Sequence, residues 1–514
     1  MSDGGLRTLD LSGKSWDGFP DWAGEGPLPE ILAAVLPSRR WFGSKSRRIR
    51  SVRFESITSL DGDPGGTIYL CLLWVEFAEG EGERYFLPLA RGRSSDVPES
   101  AQIARMDPSA DEFSLLVDGF YVPGTGRGIL RDILSQFSPR TGLGILRTAA
   151  LGRWDGSIAP DLVPRVFRGE QSNTSLLFGN SLMLKGFRKI AAGMNPDLEV
   201  GAFLARRGEE VPIPATLGAL LGKSPEGELL VLALLQEFIP NVGDGWSWCL
   251  SRLSKVLSGE EGGESLGRMV EQLGRMTARL HRALGSDPSD PDFAPLPFGE
   301  PDLDVLFREI RERWAKAAET LESSLPGLSG RLRFKVRTFL SLVPELEPFL
   351  ERCRSAGVGG SCIRCHGDLH LGQVLVTQEE TVVFLDFEGE PALPPPLRRI
   401  RRTPLQDVAG MLRSLHYLSL SAITDSPDRR WEAERWYALQ SRRYLRAYAS
   451  ELSGFPGLLP PPGPSEKILA LCLLRKALYE LQYEIDNRPD WMEVPLDGIQ
   501  TVLKDPPLDF GEGP

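Results

Sequence analysis

Cysteine is scarce in this sequence, with six residues among 514. They are scattered along the chain, at Cys71, Cys249, Cys353, Cys362, Cys365 and Cys472. Such spacing excludes the dense disulfide framework of small secreted proteins and favours a reducing compartment. Long apolar runs are also missing, because the stretch 229–235 is far shorter than the roughly 20 residues of a membrane-spanning helix. The first residues contain no apolar segment of the kind found in signal peptides. We therefore expect a cytoplasmic protein without a membrane partner.

Positive charge is in the minority, with 59 Lys and Arg against 70 Asp and Glu and a formal net charge of −11. This balance argues against a nucleic-acid partner. A hydrophobic content of 41% and a charged content of 25% are typical of globular proteins. The length predicts two or three packed units rather than one.

Hydrophobic patterning divides the chain into three parts. Strand-like alternation is predicted at 51–57, 67–77, 84–89, 162–167, 175–178, 181–187, 215–221 and 229–238. Helical periodicity is predicted at 28–35, 198–205, 266–284, 302–321, 331–354, 405–420, 430–452 and 466–485. We therefore predict an α+β fold with an N-terminal cap subdomain (1–107), a mostly helical connector followed by a sheet lobe (108–240) and a helical C-terminal lobe (241–514).

Two acidic stretches lie close together in the helical part. His366-Gly367-Asp368 comes first, and Asp386-Phe387-Glu388 follows directly after an apolar strand. Gln373 is five residues and Asp386 eighteen residues after Asp368, which is the spacing of catalytic and metal-binding residues in kinases. Phosphoryl transfer needs one carboxylate to position the attacking hydroxyl and oxygen ligands for Mg²⁺. Either stretch alone indicates only an acidic turn, but the two in this order favour a kinase that uses ATP and Mg²⁺.

A kinase also needs residues that bind the nucleotide, and candidates lie upstream. Lys185 is on the second strand of a predicted hairpin, and Glu199, fourteen residues later, is its expected ion-pair partner. Alone, Lys185 would be interpreted as a lysine that protects a strand edge. Small polar residues before the hairpin are expected to bind phosphate oxygens: Gln171, Ser172, Asn173, Thr174 and Ser175. The segment Gln236-Glu237-Phe238 is the predicted hinge whose backbone binds the adenine.

These motifs resemble those of actinobacterial-type maltokinases. The similar segments are Arg39-Arg40-Trp41-Phe42, Gln171–Ser175, Asn195–Glu199, Gln236–Asn241, His366–Gln373, Asp386–Pro391, Asp407–Ser414 and Asn487-Arg488-Pro489. The resemblance implies a bilobal protein-kinase-like fold, similar to that of aminoglycoside phosphotransferases, with a cystatin-like N-terminal cap. It implies a standalone enzyme that phosphorylates maltose at its anomeric hydroxyl for α-glucan synthesis. Carried over by motif, Asp368 is the catalytic base, Gln373 and Asp386 are metal ligands, and Glu388 is an additional ligand.

The acceptor sugar is expected to bind near the last predicted helix. Aromatic and carboxylate side chains alternate there, and Glu480, Tyr483, Asn487 and Arg488 are the candidates, together with His370 from the catalytic loop. A packing role for the late-helix residues is an equal alternative. One departure from the family pattern lies nearby, where Leu415-His416-Tyr417 replaces an aromatic residue followed by Asp.

Three other functions remain open at this point. Glucosamine or another sugar could be the acceptor, an aminoglycoside could replace the sugar, or the chain could be a non-catalytic pseudokinase that only binds ligands. The last predicts the loss of a catalytic or metal-holding residue, and the sequence retains all of them. We expect a monomer or a weak dimer, with trehalose synthase as a candidate partner.

Overall fold

The computed structural model divides into two compact units, Met1–Arg206 with Pro214–Ile239, and Arg207–Ile213 with Pro240–Pro514. The residues that the structure describes are 6–61, 66–107, 112–135, 143–148, 150–151, 162–167, 172–207, 211–260, 262–328, 330–390, 393–424, 426–504, 508 and 510.

The first unit contains two sheets. The strands of the first sheet are β1 (Thr8–Asp10), β2 (Ile49–Leu60), β3 (Ile68–Phe77), β4 (Glu83–Gly92), β5 (Gln102–Asp107) and β6 (Leu115–Asp118). Their order is β1-β5-β6-β4-β3-β2, parallel between β1 and β5 and antiparallel elsewhere. The helices of this unit are α1 (Phe19–Trp22), α2 (Leu28–Val35), α3 (Pro123–Leu134) and α4 (Pro196–Arg207).

The second sheet is antiparallel. Its strands are β7 (Gly144–Arg147), β8 (Arg165–Val166), β9 (Thr174–Phe178), β10 (Leu182–Gly186), β12 (Thr216–Lys223) and β13 (Leu229–Glu237), in the order β7-β12-β13-β10-β9-β8. A short strand that follows β10, β11 (Lys189–Ile190), pairs with β4 of the first sheet. The chain therefore connects the two sheets directly after the strand that carries Lys185.

Strand β3 is buried on both faces, which explains its continuous apolar sequence. Because side chains alternate along a strand, Leu70 and Leu72 face one core and Cys71 and Leu73 face another. The first core also contains apolar residues of the second sheet, and the other contains residues of α1 and α2. The two sheets of the first unit therefore share one hydrophobic core.

A buried arginine joins the same two sheets. Arg188 is fully buried, and its guanidinium donates to Thr174 Oγ1 at 2.8 Å and forms an ion pair with Asp118. The guanidinium also lies 4.5 Å from the ring centroids of Trp41 and Phe120. Trp41, part of the basic and aromatic segment near the N-terminus, therefore has a packing role beneath this charge.

The second unit is built mainly from helices. They are α5 (Gly245–Ser258), α6 (Glu264–Leu284), α7 (Glu300–Ser324), α8 (Gly330–Ser341), α9 (Val343–Ser355), α10 (Pro395–Arg398), α11 (Leu405–Ser421), α12 (Arg430–Leu452), α13 (Pro464–Asn487) and α14 (Glu493–Lys504). A small sheet contains β14 (Gly243–Asp244), β17 (Val374–Val376) and β18 (Val382–Phe384), while β15 (Leu296–Pro297) pairs with β16 (Ser361–Cys362). In the described part of the chain, none of the helices has the length and apolar character that crossing a membrane requires.

The observed elements confirm most of the predicted ones and correct two. The predicted helix 331–354 is two helices, α8 and α9, because Pro344 occupies the first turn of a new helix and has no N–H to continue the old one. The stretch 108–151 contains α3, but Leu115–Asp118 and Gly144–Arg147 are strands rather than parts of a helical connector. Strands this short carry too few residues to show a period in the sequence.

Candidate active site

A hairpin in the second unit brings the predicted metal ligands together. Strands β17 and β18 are short runs of mostly β-branched residues that pair with Val374 opposite Phe384. This register places the residue before β17 next to the residues after β18. Accordingly, Gln373 Nε2 lies 3.2 Å from Asp386 Oδ2, and the N–H of Leu385 donates to the Gln373 carbonyl at 2.9 Å.

The backbone at Asp386 is strained. Its φ is +64°, in the left-handed region that few residues other than glycine adopt. Such strain is often found at functional sites, where the surrounding structure holds it. Carboxylate oxygens of Asp386 and Glu388 lie within 4.8 Å of each other. Carboxylate and amide oxygens are the ligands that Mg²⁺ prefers, so Gln373, Asp386 and Glu388 fit such an ion by their chemistry.

The loop that carries Asp368 is held by Asp407 from α11. The Asp407 carboxylate accepts from the N–H groups of His366 and Gly367 at 2.7 and 2.9 Å. It also lies 3.1 Å from His281 Nε2 on α6. Burial by itself would raise the pKa of Asp407, but these donors outweigh it and the pKa lies below its usual value. Asp407 therefore stays ionised and fixes the backbone of the two residues that precede Asp368.

Asp368 is not isolated in this loop. Its Oδ1 accepts from Lys476 Nζ of α13 at 2.8 Å, and His370 Nε2 lies 4.0 Å from its Oδ2. Burial would raise the pKa of Asp368, yet the positive charge of Lys476 holds it below the usual value. The carboxylate is therefore ionised at neutral pH and positioned by a lysine from a distant helix.

Asp368 and Lys476 line a cleft of about 780 Å³ within the second unit. Other lining residues are Trp246, Leu250, His370, Gly372, Gly410, Ser414, Tyr417, Ser421, Thr424, Tyr479, Glu480, Tyr483, Glu484, Arg488 and Trp491. Four of the five predicted sugar-site residues are thus brought together with the predicted base. The fifth, Asn487, is exposed, is not part of this lining and donates to the Tyr483 carbonyl at 2.9 Å.

Each carboxylate in the cleft lining has a cationic partner. Glu480 pairs with the buried Arg413 at 2.7 Å, and Glu484 pairs with Arg488 at 2.7 Å. Glu484 also accepts from the hydroxyl of Tyr417 at 3.1 Å. Together with the Asp368–Lys476 pair, these contacts balance the negative charge of the cleft. The remaining lining includes five Trp and Tyr side chains, and the Tyr417 and Trp491 rings are nearly parallel with centroids 6.4 Å apart.

The predicted nucleotide lysine lies in the first unit. Lys185 Nζ donates to Asp197 Oδ2 at 3.2 Å, and both side chains are buried. Asp197 is in the first turn of α4, and Asn195 Oδ1 accepts from its N–H at 2.9 Å. The expected pairing of Lys185 with Glu199 stays a prediction.

Two side chains of the turn before β9 already form hydrogen bonds within the first unit. Asn173 Oδ1 and Thr174 Oγ1 accept from the backbone and the guanidinium of Arg188 at 3.4 and 2.8 Å. Ser172 is exposed and Ser175 is buried, while Gln171 lies outside the described residues. Phosphate binding by this segment stays a prediction, and Thr174 could contribute to it only as a donor through its hydroxyl hydrogen.

The predicted hinge ends strand β13. The N–H of Glu237 donates to the Ala215 carbonyl at 2.9 Å, and that of Phe238 donates to the Ser181 carbonyl at 2.8 Å. Gln236 is buried, with Nε2 3.5 Å from Thr216 Oγ1. Both N–H groups already donate to backbone carbonyls. The backbone of Glu237 or Phe238 would therefore contact an adenine through a carbonyl oxygen.

Sequence reasoning assigned no site role to several residues that the structure connects with the candidates. Asp197 and Asp407 lie within the family-like segments, and Lys476 lies within the predicted helix 466–485. Their partners are 12, 40–126 and 108 residues away, respectively. A charged residue at a buried position of an amphipathic helix was the available signal for such a contact, because buried charges are seldom left without a partner. The partner itself could not be identified without the fold.

Two parts of the chain match known families. Residues 164–389 match the Phosphotransferase enzyme family, and residues 36–121 match the Maltokinase N-terminal cap domain. The first match covers the turn, Lys185 and all three metal candidates, and the second covers β2 to β6 of the first sheet. The chain therefore contains one segment similar to phosphotransferases and one similar to maltokinase caps.

Relatives and solved structures point to the same fold. A glucosamine kinase from Streptacidiphilus jiangxiensis is 27% identical over 340 residues, covering 65% of this chain and 72% of that protein. A glucosamine kinase from Mycolicibacterium smegmatis is 24% identical over 391 residues, covering 74% and 89%. A structure of glucosamine kinase in complex with glucosamine, ADP and inorganic phosphate superimposes with a TM-score of 0.65 at 22% identity, covering 92% and 99%. The predicted kinase-like, aminoglycoside-phosphotransferase-like fold with a helical C-terminal region is confirmed.

Proposed function

We propose that this protein is a kinase that transfers the γ-phosphoryl group of ATP to the anomeric hydroxyl of maltose. The observation that carries the proposal is the cleft in which Asp368 lies beside aromatic rings and hydrogen-bonding side chains. Sugar recognition uses such apolar faces with a few well-placed polar groups. The kinase-like fold and the maltokinase-type cap segment support the same assignment.

In this proposal Asp368 orients the attacking hydroxyl and accepts its proton. A strong base is not needed, because the transition state of phosphoryl transfer is largely dissociative and catalysis depends on positioning and charge stabilisation. The lowered pKa of Asp368 suits that role, since the carboxylate is ionised when the hydroxyl binds. Lys476 positions the carboxylate through the 2.8 Å contact.

Gln373, Asp386 and Glu388 are the proposed ligands of Mg²⁺, and Lys185 with Asp197 is the proposed nucleotide-phosphate pair. When bound, the metal ion neutralises charge on the nucleotide phosphates. The strained backbone at Asp386 turns its carboxylate toward Gln373, which the antiparallel register of β17 and β18 has brought alongside.

The charge balance of the cleft favours a neutral acceptor. A protonated amine is best bound by a carboxylate whose charge is not already compensated, because each desolvated cation needs a partner. Asp368, Glu480 and Glu484 are each paired with a cationic side chain. A volume of about 780 Å³ is within the range of ligand sites that take molecules of disaccharide size. Synthesis of α-glucan and association with trehalose synthase belong to the same proposal.

Glucosamine is the second candidate acceptor. The relatives named above are glucosamine kinases, and one of them is similar over 92% of this chain. A glucosamine kinase would require a carboxylate of the cleft to leave its present partner and receive the amine. Glu480 is the candidate, since its partner Arg413 has a second contact with His416 Nδ1 at 2.7 Å.

The test is a panel of acceptors with ATP and Mg²⁺, in which ADP release is measured for maltose, glucose, glucosamine and an aminoglycoside. We expect the highest kcat/KM with maltose. Asp368→Asn, which keeps the shape of the side chain, should lower kcat by about 10³-fold or more, equivalent to about 4 kcal/mol of barrier. Asp428→Asn is the matched control, because Asp428 is exposed and outside the cleft lining.

Each outcome of the panel decides between the assignments. A preference for glucosamine would replace maltose as the acceptor and leave the kinase assignment intact, and an aminoglycoside preference would indicate antibiotic phosphorylation. Binding of ATP without phosphoryl transfer to any acceptor would indicate a pseudokinase. Normal turnover by Asp368→Asn would remove that residue from the mechanism.

A further inference from the structure

A second cavity lies in the helical unit, separate from the proposed sugar cleft. Its volume is about 430 Å³, and its walls come from α8, α11, α12, α13 and α14. No lining residue is shared between this cavity and the cleft. A volume of this size lies within the range of small-molecule sites.

Cations predominate inside this cavity. Lys335 and Arg430 both form ion pairs with Asp497, so one carboxylate serves two positive charges. The other acid, Glu434, is about half exposed and contacts Arg430 at the rim at 2.8 Å. Burial, together with the nearby charge of Arg430, lowers the pKa of Lys335 to about 8. With Arg413, the lining holds three cationic side chains against two acidic ones, and this excess of positive charge favours an anion.

A buried histidine adds a donor. His416 is only 6% exposed, its ring lines the cavity, and it stacks on Tyr437 with ring centroids 4.8 Å apart. Burial, and then the charge of Arg413, lower its pKa well below the usual value, so the ring is neutral. Nδ1 must accept from Arg413 Nη1, since arginine can only donate, and the proton is therefore on Nε2. Within the described chain no hydrogen-bond partner of Nε2 is seen.

Arg413 connects this cavity with the cleft. Its guanidinium contacts His416 on one side and Glu480 on the other, and the side chain is buried. Helix α14 approaches so closely at Gly498 that a Cβ there would overlap the guanidinium. A glycine in a helix interior costs about 1 kcal/mol relative to alanine, and here it makes room for Arg413.

We propose that this second cavity is an oxyanion site, taking inorganic phosphate or the phosphate group of a monoester, and that its occupancy lowers the affinity of the cleft for the sugar. The phosphate oxygens accept from His416 Nε2 and from the side chains of Lys335 and Arg430. An anion on Nε2 makes Nδ1 a stronger acceptor, which draws Arg413 toward His416 and away from Glu480. Binding of the anion is independent of the proposed function, whereas the effect on the sugar rests on it.

The binding test is isothermal titration calorimetry of the full chain with sodium phosphate, against sodium chloride at equal ionic strength and without nucleotide or sugar. Lys335→Gln removes a cavity cation, and His416→Phe removes the donor while keeping an aromatic ring on Tyr437. Each should weaken phosphate binding about 10-fold or more, the effect of one charge-assisted hydrogen bond. Arg337→Gln is the matched control, because Arg337 is exposed on the same helix and outside the cavity lining.

If phosphate binds at the nucleotide site instead, its binding will be lost in Lys185→Met and retained in the two cavity variants. That result would contradict the proposal. The same holds if no phosphate-specific heat is seen at millimolar concentrations. Glucose 1-phosphate serves as the monoester. If glucose 1-phosphate binds more tightly than phosphate and loses this binding in Lys335→Gln, the cavity is a monoester site. If glucose 1-phosphate binds more weakly than phosphate, the cavity is a site for free phosphate.

The coupling test measures binding of maltose and glucosamine with and without phosphate. We expect phosphate to lower the affinity for whichever sugar binds by about 3-fold or more, and to have no effect in Lys335→Gln. Sugar affinity that does not respond to phosphate in a protein that binds it would contradict the coupling and leave the anion site. Absence of both sugars from the cleft would count against the proposed function, while the calorimetry of phosphate would still test the cavity. Thermal unfolding of each variant shows that it is folded.

Discussion

At the scale of single residues, the contact between Lys476 and Asp368 is the one with the clearest chemical consequence. Burial and a neighbouring positive charge act on the carboxyl in opposite directions, and the lysine prevails. Asp368 is thus kept ionised in a partly apolar cleft where an isolated carboxyl would tend to bind a proton.

Lys476→Met should therefore change the pH dependence of the reaction. A general base is active when deprotonated, so activity is lost as the pH falls through its pKa. Without Lys476, burial raises the pKa of Asp368, and the acid limb of the kcat/KM profile should move to higher pH by about one unit or more. The profile is measured with the best acceptor from the panel, and Lys476→Arg, which keeps the charge, is the matched control.

An acid limb at the same pH in Lys476→Met and the parent protein would contradict this assignment. A loss of activity that is equal at every pH would indicate that the lysine acts on the bound sugar rather than on the carboxyl.

At the scale of elements, helix α11 determines the position of the loop that carries Asp368. Asp407 accepts two backbone N–H groups of that loop and the His281 side chain, and a Cβ at Gly410 would lie 2.5 Å from the Leu369 carbonyl oxygen. Close approach at Gly410 and hydrogen bonds from Asp407, one turn earlier, thus hold the same loop against the helix. Asp407 and Gly410 belong to one motif of the sequence and the loop to another, but the sequence did not show that the two motifs are in contact.

Asp407→Asn should destabilise the protein and misplace the loop. The amide keeps the shape but offers one acceptor atom in place of two, so a buried donor loses its partner at a cost of about 3 kcal/mol. We expect a lower midpoint of urea denaturation together with a lower kcat, and Asp428→Asn, an exposed exchange of the same type, should change neither.

The pH dependence of this effect has a definite sign. The pKa of Asp407 is lowered by folding, so its stabilisation is present above the unfolded pKa, about 3.9, and is lost as the pH falls through the folded value. The difference in unfolding free energy between the parent protein and Asp407→Asn should therefore shrink in acid. A difference that stays constant below pH 4 would contradict an ionised Asp407.

At the scale of the whole molecule, the first unit is organised around a strand with two buried faces. Leu72 and Leu73 are neighbours in β3, but Leu72 contributes to the core shared by both sheets and Leu73 to the core beneath α1 and α2. The cap-type sheet and the sheet that carries Lys185 are therefore parts of one cooperative structure rather than separately stable pieces.

Leu72→Ala and Leu73→Ala form a matched pair that tests this organisation. Each should cost about 2–5 kcal/mol, because both side chains are buried and leave a cavity. Hydrogen exchange measured by mass spectrometry should rise in β10 and β13 for Leu72→Ala only, and mainly in α1 and α2 for Leu73→Ala. Identical exchange patterns in the two variants would show that the two cores are not distinct.

The sequence by itself determined the fold class, most helix and strand positions and the closeness of Gln373 and Asp386, because periodicity and close spacing are local properties of the chain. The hairpin needed only a short loop to bring Gln373 and Asp386 together, so order along the chain was enough. Tertiary structure alone decided that Lys476 contacts Asp368 and that Asp407 holds the loop before it. It also decided that Leu115–Asp118 enters the first sheet and that Arg413 lies between cleft and cavity. Those contacts join residues far apart in the chain, and they form only when helices and strands pack, which no local pattern records.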